Sequence, residues 1–188
     1  MKIFALEGNY NESPTIFMKP DSALLKDKKP FFVPDFSEDI AFGAGFVLRI
    51  SRLGRSISER FAHRYYDAVS VGLDITARDL KNKLMSEGRL MDTAKGFDSS
   101  FPVGTFMDMP QGEMNFKLEI DGRQVQSGCS TDMRYSFDRI ISWMSRYYTL
   151  KMGDMIFTGT PGIEIPAEIG THIRGFINNV ELLDFKIK

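Results

Sequence analysis

Asp74 and Arg78 stand where an apolar run, Val69 to Ile75, gives way to residues that favour a helix. A carboxylate at such a junction can cap backbone N–H groups, pair with the arginine, or ligate a cation. Alone it is a weak Mg²⁺ ligand, because the ion keeps its waters unless further carboxylates compensate for dehydration. Glu38 and Asp39 do not simply supply them, since the strand between Glu38 and Gly43 covers roughly 16 Å at ~3.3 Å per residue. Lys95, ahead of Gly96-Phe97-Asp98, is a second candidate, as a pocket cation or as the ion-pair partner of Asp98. His63 and His172 read as surface or packing residues, and Cys129, with no recognisable histidine partner, as a buried thiol.

The elements that must position these groups are mostly strands. Ala41 to Ser51 is a buried strand, although Gly43 and Gly45 fit its interior poorly and mark a bulge or the close approach of another group. Ser58 opens a short helix through Tyr66, and Val69 to Ile75 is the next strand. Thr76 with Asp79 resembles a capping box that opens a helix closed at Gly88. Phe116, Leu118 and Ile120 alternate with polar residues, and Asp121-Gly122 turns them into Arg123 to Ser127 as a hairpin. An amphipathic helix runs from about Ser136 to Tyr147. Met155 to Thr158 is a strand, and two more close the chain around Asn178-Asn179. The expectation is one α+β domain over residues 1–188, mainly β, with a curled sheet of mixed or antiparallel strands.

Composition excludes several function classes. The 24 Lys and Arg nearly cancel 25 Asp and Glu, so no global field recruits nucleic acid. No apolar run is long enough to span a membrane. A single cysteine and an N-terminus without a secretory pattern point to the cytoplasm. Sixteen Phe and eleven Met suggest a plastic core or a subunit interface. The cluster Lys26, Lys28, Lys29 reads as a solvated turn.

Four segments in order resemble the fumarylacetoacetate hydrolase family: Ile16 to Pro20; Gly72 to Asp79; Lys95 to Asp98 with Pro102-Val103-Gly104; and Gly153 to Pro161. Gln126 to Met133 resembles the segment after that family's central hairpin. The resemblance implies a β-roll, a dimer, and chemistry on 2-oxo and β-dicarbonyl acids supported by Mg²⁺ or Mn²⁺. It makes Asp74 the third of three carboxylate ligands, Lys95 a pocket lysine and Thr160 a residue facing the substrate's carboxylate, with Arg78 close by.

The departures matter as much. The two glutamate positions, which converge because side chains two apart share a strand face, fall on Gly43 and Gly45. The acid–base histidine is absent, leaving Glu12 as a remnant with no evident way to be tuned. Glu164 stands where the family often has glycine, able to repel an anionic substrate or to supply a new ligand. The resulting expectation is a scaffold without a resident cofactor. It would bind a small carboxylate, or pair with itself or an intact relative, as a pseudo-enzyme. The alternative is an active hydrolase, isomerase or decarboxylase, similar to 2-hydroxyhepta-2,4-diene-1,7-dioate isomerases, using Asp74 with non-standard ligands. Glutamates placed back at positions 43 and 45 should then recreate metal affinity.

Overall fold

The computed structural model describes residues 1–26 and 28–188. In chain order its strands begin with β1 (Ile3–Glu7), β2 (Thr15–Lys19), β3 (Leu24–Leu25), β4 (Ile40–Ile50) and β5 (Tyr66–Ala77). Helices α1 (Arg78–Ser86) and α2 (Asp92–Lys95) follow, then β6 (Phe101–Pro102), β7 (Met107–Asp108), β8 (Asn115–Ile120) and β9 (Arg123–Cys129). Helix α3 (Phe137–Ser145) precedes β10 (Met155–Phe157), β11 (Ile165–Pro166), β12 (His172–Ile177) and β13 (Val180–Lys186). The described helices are all too short to cross a membrane.

A seven-stranded sheet runs β2-β1-β10-β4-β5-β7, with β11 added to β4, and is mixed because β1 and β10 are parallel. A four-stranded antiparallel sheet runs β13-β12-β8-β9. The spine is the β4–β5 pair, antiparallel from Ile40↔Ala77 to Arg49↔Ala68. Its period-2 alternation sorts side chains onto two faces. Phe42, Ala44, Phe46 and Leu48, with Val69, Val71, Leu73 and Ile75, join the main core with Phe116, Leu118 and Ile173 of the second sheet and Ile140, Ile141 and Met144 of α3. Phe46 is the pivot: its ring meets Phe116 edge-on at 5.1 Å and Phe137 at 5.7 Å. The opposite face carries a smaller cluster, Ile3, Ala5, Val47, Phe101 and Phe157, and beside it the polar site.

The α+β architecture, the hairpin and α3 agree with expectation. Asp121 and Gly122 take the φ of 50° and 82° that a tight hairpin requires, and the Ser136 hydroxyl caps α3 by accepting from Arg139 N. Three local expectations do not hold. The segment after Ser58 is a 3-10 helix, Glu59–Arg64. Thr76 is no cap: β5 continues through Ala77, and the hydroxyl turns to Glu164 and Lys95 instead. Asp79 receives Ser37 Oγ (2.6 Å) rather than completing a capping box. Cys129 is half-buried, with Sγ 2.9 Å from Thr131 Oγ1.

Candidate functional site

Sheet register brings the polar groups together. Pairing of Gly43 with Asp74 and of Gly45 with Gly72 places all four on one face of the β4–β5 pair, where Thr76 follows at the next same-face position. On β1 and β2, Ile3↔Lys19 and Glu7↔Thr15 put Lys19 and Glu7 on that same face. Helix α2 then lays Lys95 across it.

Asp74 is held from two sides. Lys95 Nζ donates to its Oδ2 at 2.7 Å and to Thr76 Oγ1 at 3.1 Å, while Lys19 Nζ lies 2.8 Å from Oδ1. Lys19 is fully buried and also donates to the carbonyls of Ile75 (3.3 Å), Ser100 (3.0 Å) and Lys95. Lys95 is 3% exposed and faces two further carboxylates, with Glu164 Oε1 at 3.9 Å and Glu7 Oε1 at 4.0 Å. Glu7 is itself paired with Lys81 at 2.6 Å, and Glu164 accepts from Thr76 Oγ1 at 3.0 Å.

The two lysines titrate in opposite directions although they share Asp74. Burial drives Lys19 down to about 8, because one carboxylate only partly offsets full desolvation. Lys95 is also penalised by burial, yet Asp74, Glu7 and Glu164 together raise it above the ordinary lysine value. For Asp74, burial pushes upward, and the adjacent Lys19 and Lys95 overcome it and hold the carboxyl below its usual range. The centre is therefore ionised and internally paired.

The glycines answer the anomaly in β4. Beyond the three β10 pairs the chain leaves the sheet and folds back as Thr158–Glu164, returning to pair as β11. A Cβ at Gly45 would overlap the Gly159 carbonyl oxygen and stand 2.9 Å from Phe157 Cε2; one at Gly43 would lie 2.9 Å from Thr160 Cβ. Both glycines exist because this loop packs on them. Gln126 of β9 fixes the loop: its Oε1 accepts from Ala44 N at 2.7 Å, and its Nε2 donates to Pro161 O at 2.9 Å and Ile163 O at 3.2 Å.

Of the expected residues, Asp74, Lys95 and Thr160 meet on this face, as does Glu164. Lys95 pairs with Asp74 and not with Asp98. Arg78 does not join them, nor does it pair with Asp74; its guanidinium grips Asp39 at 2.6 Å. Glu12 is exposed, and its carboxylate side chain packs over Gly8 rather than against Lys95. Lys19, Glu7, Lys81 and Gln126 were not expected. Lys19 and Gln126 lie inside quoted segments, but nothing in strand spacing alone assigns a charged residue to the buried side of β2.

This architecture recurs in fumarylpyruvate hydrolase from Pseudomonas aeruginosa, crystallised with Mn²⁺ and pyruvate: TM-score 0.91, 26% identity, 100% of this chain and 89% of that one. The fold is thus that of fumarylacetoacetate-type hydrolases. Residues 5–187 match the model of the fumarylacetoacetate (FAA) hydrolase C-terminal family, and the chain belongs to that family. Similar relatives include the oxaloacetate tautomerase YcgM of Escherichia coli (30% identical; 86% of this chain, 76% of the relative) and the mitochondrial oxaloacetate tautomerase FAHD1 of Bos taurus (29%; 93% and 81%).

Proposed function

We propose that this chain is a metal-independent, catalytically impaired member of the family that serves as a binding or oligomer-partner scaffold for small 2-oxo acids. The observation that carries the reading is the engagement of both Asp74 oxygens by lysine ammonium groups, on a face where Gly43 and Gly45 offer no donor. The residues present do not fit a divalent ion. Among the described residues no three His, Cys, Asp or Glu side chains stand close enough to hold one, and the Thr158–Glu164 loop occupies the space that longer side chains at 43 and 45 would need. Acid–base chemistry is equally poorly provided: Glu12 is exposed and, among the described residues, makes no ion pair with the lysines of the centre. For a small carboxylate to reach Lys95 it would have to take the place of Glu7 or Glu164, the two half-exposed acids that face the ammonium, while apolar surface, including Phe36, Leu90 and Ile163, suits a second copy or an intact relative.

One observation favours an active enzyme instead. Glu164 is brought to within reach of Lys95 and Thr76, as a replacement ligand to Asp74 would need. Assays of oxaloacetate tautomerisation and fumarylpyruvate hydrolysis, with and without Mn²⁺, separate the two. The expected result is a rate equal to buffer in both, with pyruvate or oxalate still raising thermal stability. Turnover in either assay overturns the proposal.

A further inference from the structure

We infer that the end of the molecule where β4 meets β10 docks on the surface of an anionic phospholipid bilayer, with Leu53 and Met152 entering the headgroup layer and the arginines around them holding lipid phosphates. This goes beyond the function proposed above and involves none of the residues around Asp74.

Backbone brings the two apolar side chains together. Beyond β4 the chain turns, and Gly54 N donates to Leu150 O at 3.0 Å while Leu150 N donates to Gly54 O at 2.8 Å. At the other end of the same pairing, Gly153 N donates to Ile50 O at 2.8 Å. Arg52, Leu53, Lys151 and Met152 lie between these bonds, on two loops that run side by side. Neither loop is slack. Asp154 is buried and accepts from Lys151 N at 2.9 Å and Lys2 N at 2.8 Å, Gly153 supplies the φ of 85° that the turn needs, and Gly54 lies against the Tyr65 ring. These fixed turns nevertheless leave Leu53 69% and Met152 79% exposed, so two large aliphatic side chains are held in water where the fold gains nothing from their burial.

The charge around them is one-sided. Residues 50–64 and 145–154 carry Arg52, Arg55, Arg60, Arg64, Arg146 and Lys151 against two acids, Glu59 and Asp154. Asp154 is neutralised by Lys2 at 2.5 Å, and Asp67 on the adjoining β5 is taken by Arg49 at 3.1 Å. The six cations are exposed, and none of them pairs with a carboxylate among the described residues. Hydrogen bonds join their segments into one surface: Ser56 N and Ile57 N donate to Ser145 O and Oγ, each at 2.8 Å, and Ser51 N donates to Tyr65 O at 2.9 Å. The balanced charge of the whole chain thus conceals a cationic end, whose local field attracts polyanions.

The aliphatic tips decide between polyanions. Nucleic-acid bases stack on aromatic rings, and Leu53 and Met152 offer none; the exposed ring nearby, Phe61, is flanked by the guanidinium groups of Arg60 and Arg64 at 5.5 and 5.0 Å. A bilayer matches both parts, because its acyl boundary takes the apolar tips and its phosphates take the cations.

The test is co-sedimentation of the full chain with vesicles of phosphatidylcholine alone, and of equal parts phosphatidylcholine and phosphatidylglycerol, at low salt. Binding should be found with the mixed vesicles only and should fall as salt is raised. Arg52→Gln with Arg55→Gln should weaken it roughly 30-fold, about fivefold per arginine, and Leu53→Ser with Met152→Ser roughly tenfold. Leu90→Ser, which removes an aliphatic side chain 81% exposed beyond α1 at the other end of β5, should leave it unchanged. Circular dichroism checks that each variant is folded; if the double serine variant is not, Leu53→Ala and Met152→Ala singly take its place. No binding to the mixed vesicles overturns the inference, as does equal binding to phosphatidylcholine alone, or binding that Leu90→Ser weakens as much as the Leu53 and Met152 variants do. Binding of a single-stranded oligouridylate in place of the mixed vesicles would make this end a nucleic-acid surface and equally overturns it.

Discussion

Asp74 separates two environments that use the same chemistry to opposite ends. On its inner side Lys19 is fixed by backbone: three carbonyls and one carboxylate oxygen take its ammonium, with no solvent contact. On its outer side Lys95 is fixed by side chains, two of which reach solvent. Backbone partners cannot move without moving strands, whereas glutamates can. The inner lysine is therefore held by the fold and the outer one by movable side chains of the candidate site, although the distances to Asp74 are alike.

The comparison breaks most visibly at Lys19. Lys19→Met should cost about 3–5 kcal/mol, because it leaves a buried carboxylate half-compensated and several carbonyls unpaired. Lys95→Met should cost distinctly less, since Glu7 and Glu164 can take water. Urea denaturation of both variants measures the difference; equal losses would erase the distinction between the two sides.

The same contrast has a pH form. The folded-state value of Lys19, about 8, lies below the unfolded value of ~10.4. Between these the unfolded chain binds more protons, so the Lys19 contribution makes stability rise with pH. Lys95 is raised, so its contribution is fully present through that window and is lost only above it, as pH passes its folded value. Unfolding free energy should therefore increase from pH 8 to pH 10 in wild type and stay flat in Lys19→Met. A fall in wild type would mean that Lys19 is no more desolvated than Lys95.

At the glycines the obstacle is backbone at one position and side chain at the other. Gly45→Ala drives a methyl into the Gly159 carbonyl and should cost about 3 kcal/mol, while Gly43→Ala meets the Thr160 side chain up to its Cβ, so that a smaller shift of the loop at Thr160 is needed, and should cost about 2 kcal/mol. Thermal unfolding of the two variants gives the order. This also corrects the expectation that glutamates at both positions would simply restore a metal site: the loop must first be displaced, and a Gly43→Glu, Gly45→Glu protein should be unfolded or loop-shifted before it binds Mn²⁺.

The fold was largely legible because alternation and turn chemistry are local. Asp121-Gly122, Asn178-Asn179 and the Ser136 cap each announce their conformation within a few residues. The misfit glycines in β4 correctly signalled a close approach, and the motif order carried the family. The site was legible only in part. Asp74, Lys95 and Thr160 lay in recognisable segments, but their partners are set by register between strands far apart in sequence. No spacing rule predicts that Lys19 of β2 reaches Ser100, or that Arg78 prefers Asp39 to Asp74. Gln126 reads as an ordinary hairpin residue until the gap in β4 pairing between β10 and β11 is seen.

The smallest expected effect is at Glu12, and it tests how far the outer environment extends. Its side chain is exposed and lies over Gly8, whose φ of +89° belongs to the turn that ends β1 just beyond Glu7. A surface carboxylate of this kind contributes within about 0.5 kcal/mol, so Glu12→Ala should leave thermal unfolding nearly unchanged. It should also leave the response to pyruvate unchanged, because no ion pair or hydrogen bond links Glu12 to Glu7, Lys95 or Glu164 among the described residues. Glu7→Gln, two strand positions from Ala5 and facing Lys95, should alter that response. If Glu12→Ala abolished the pyruvate effect while Glu7→Gln did not, the working edge of the site would lie on the turn, and the lysine-centred outer environment would have been drawn in the wrong place.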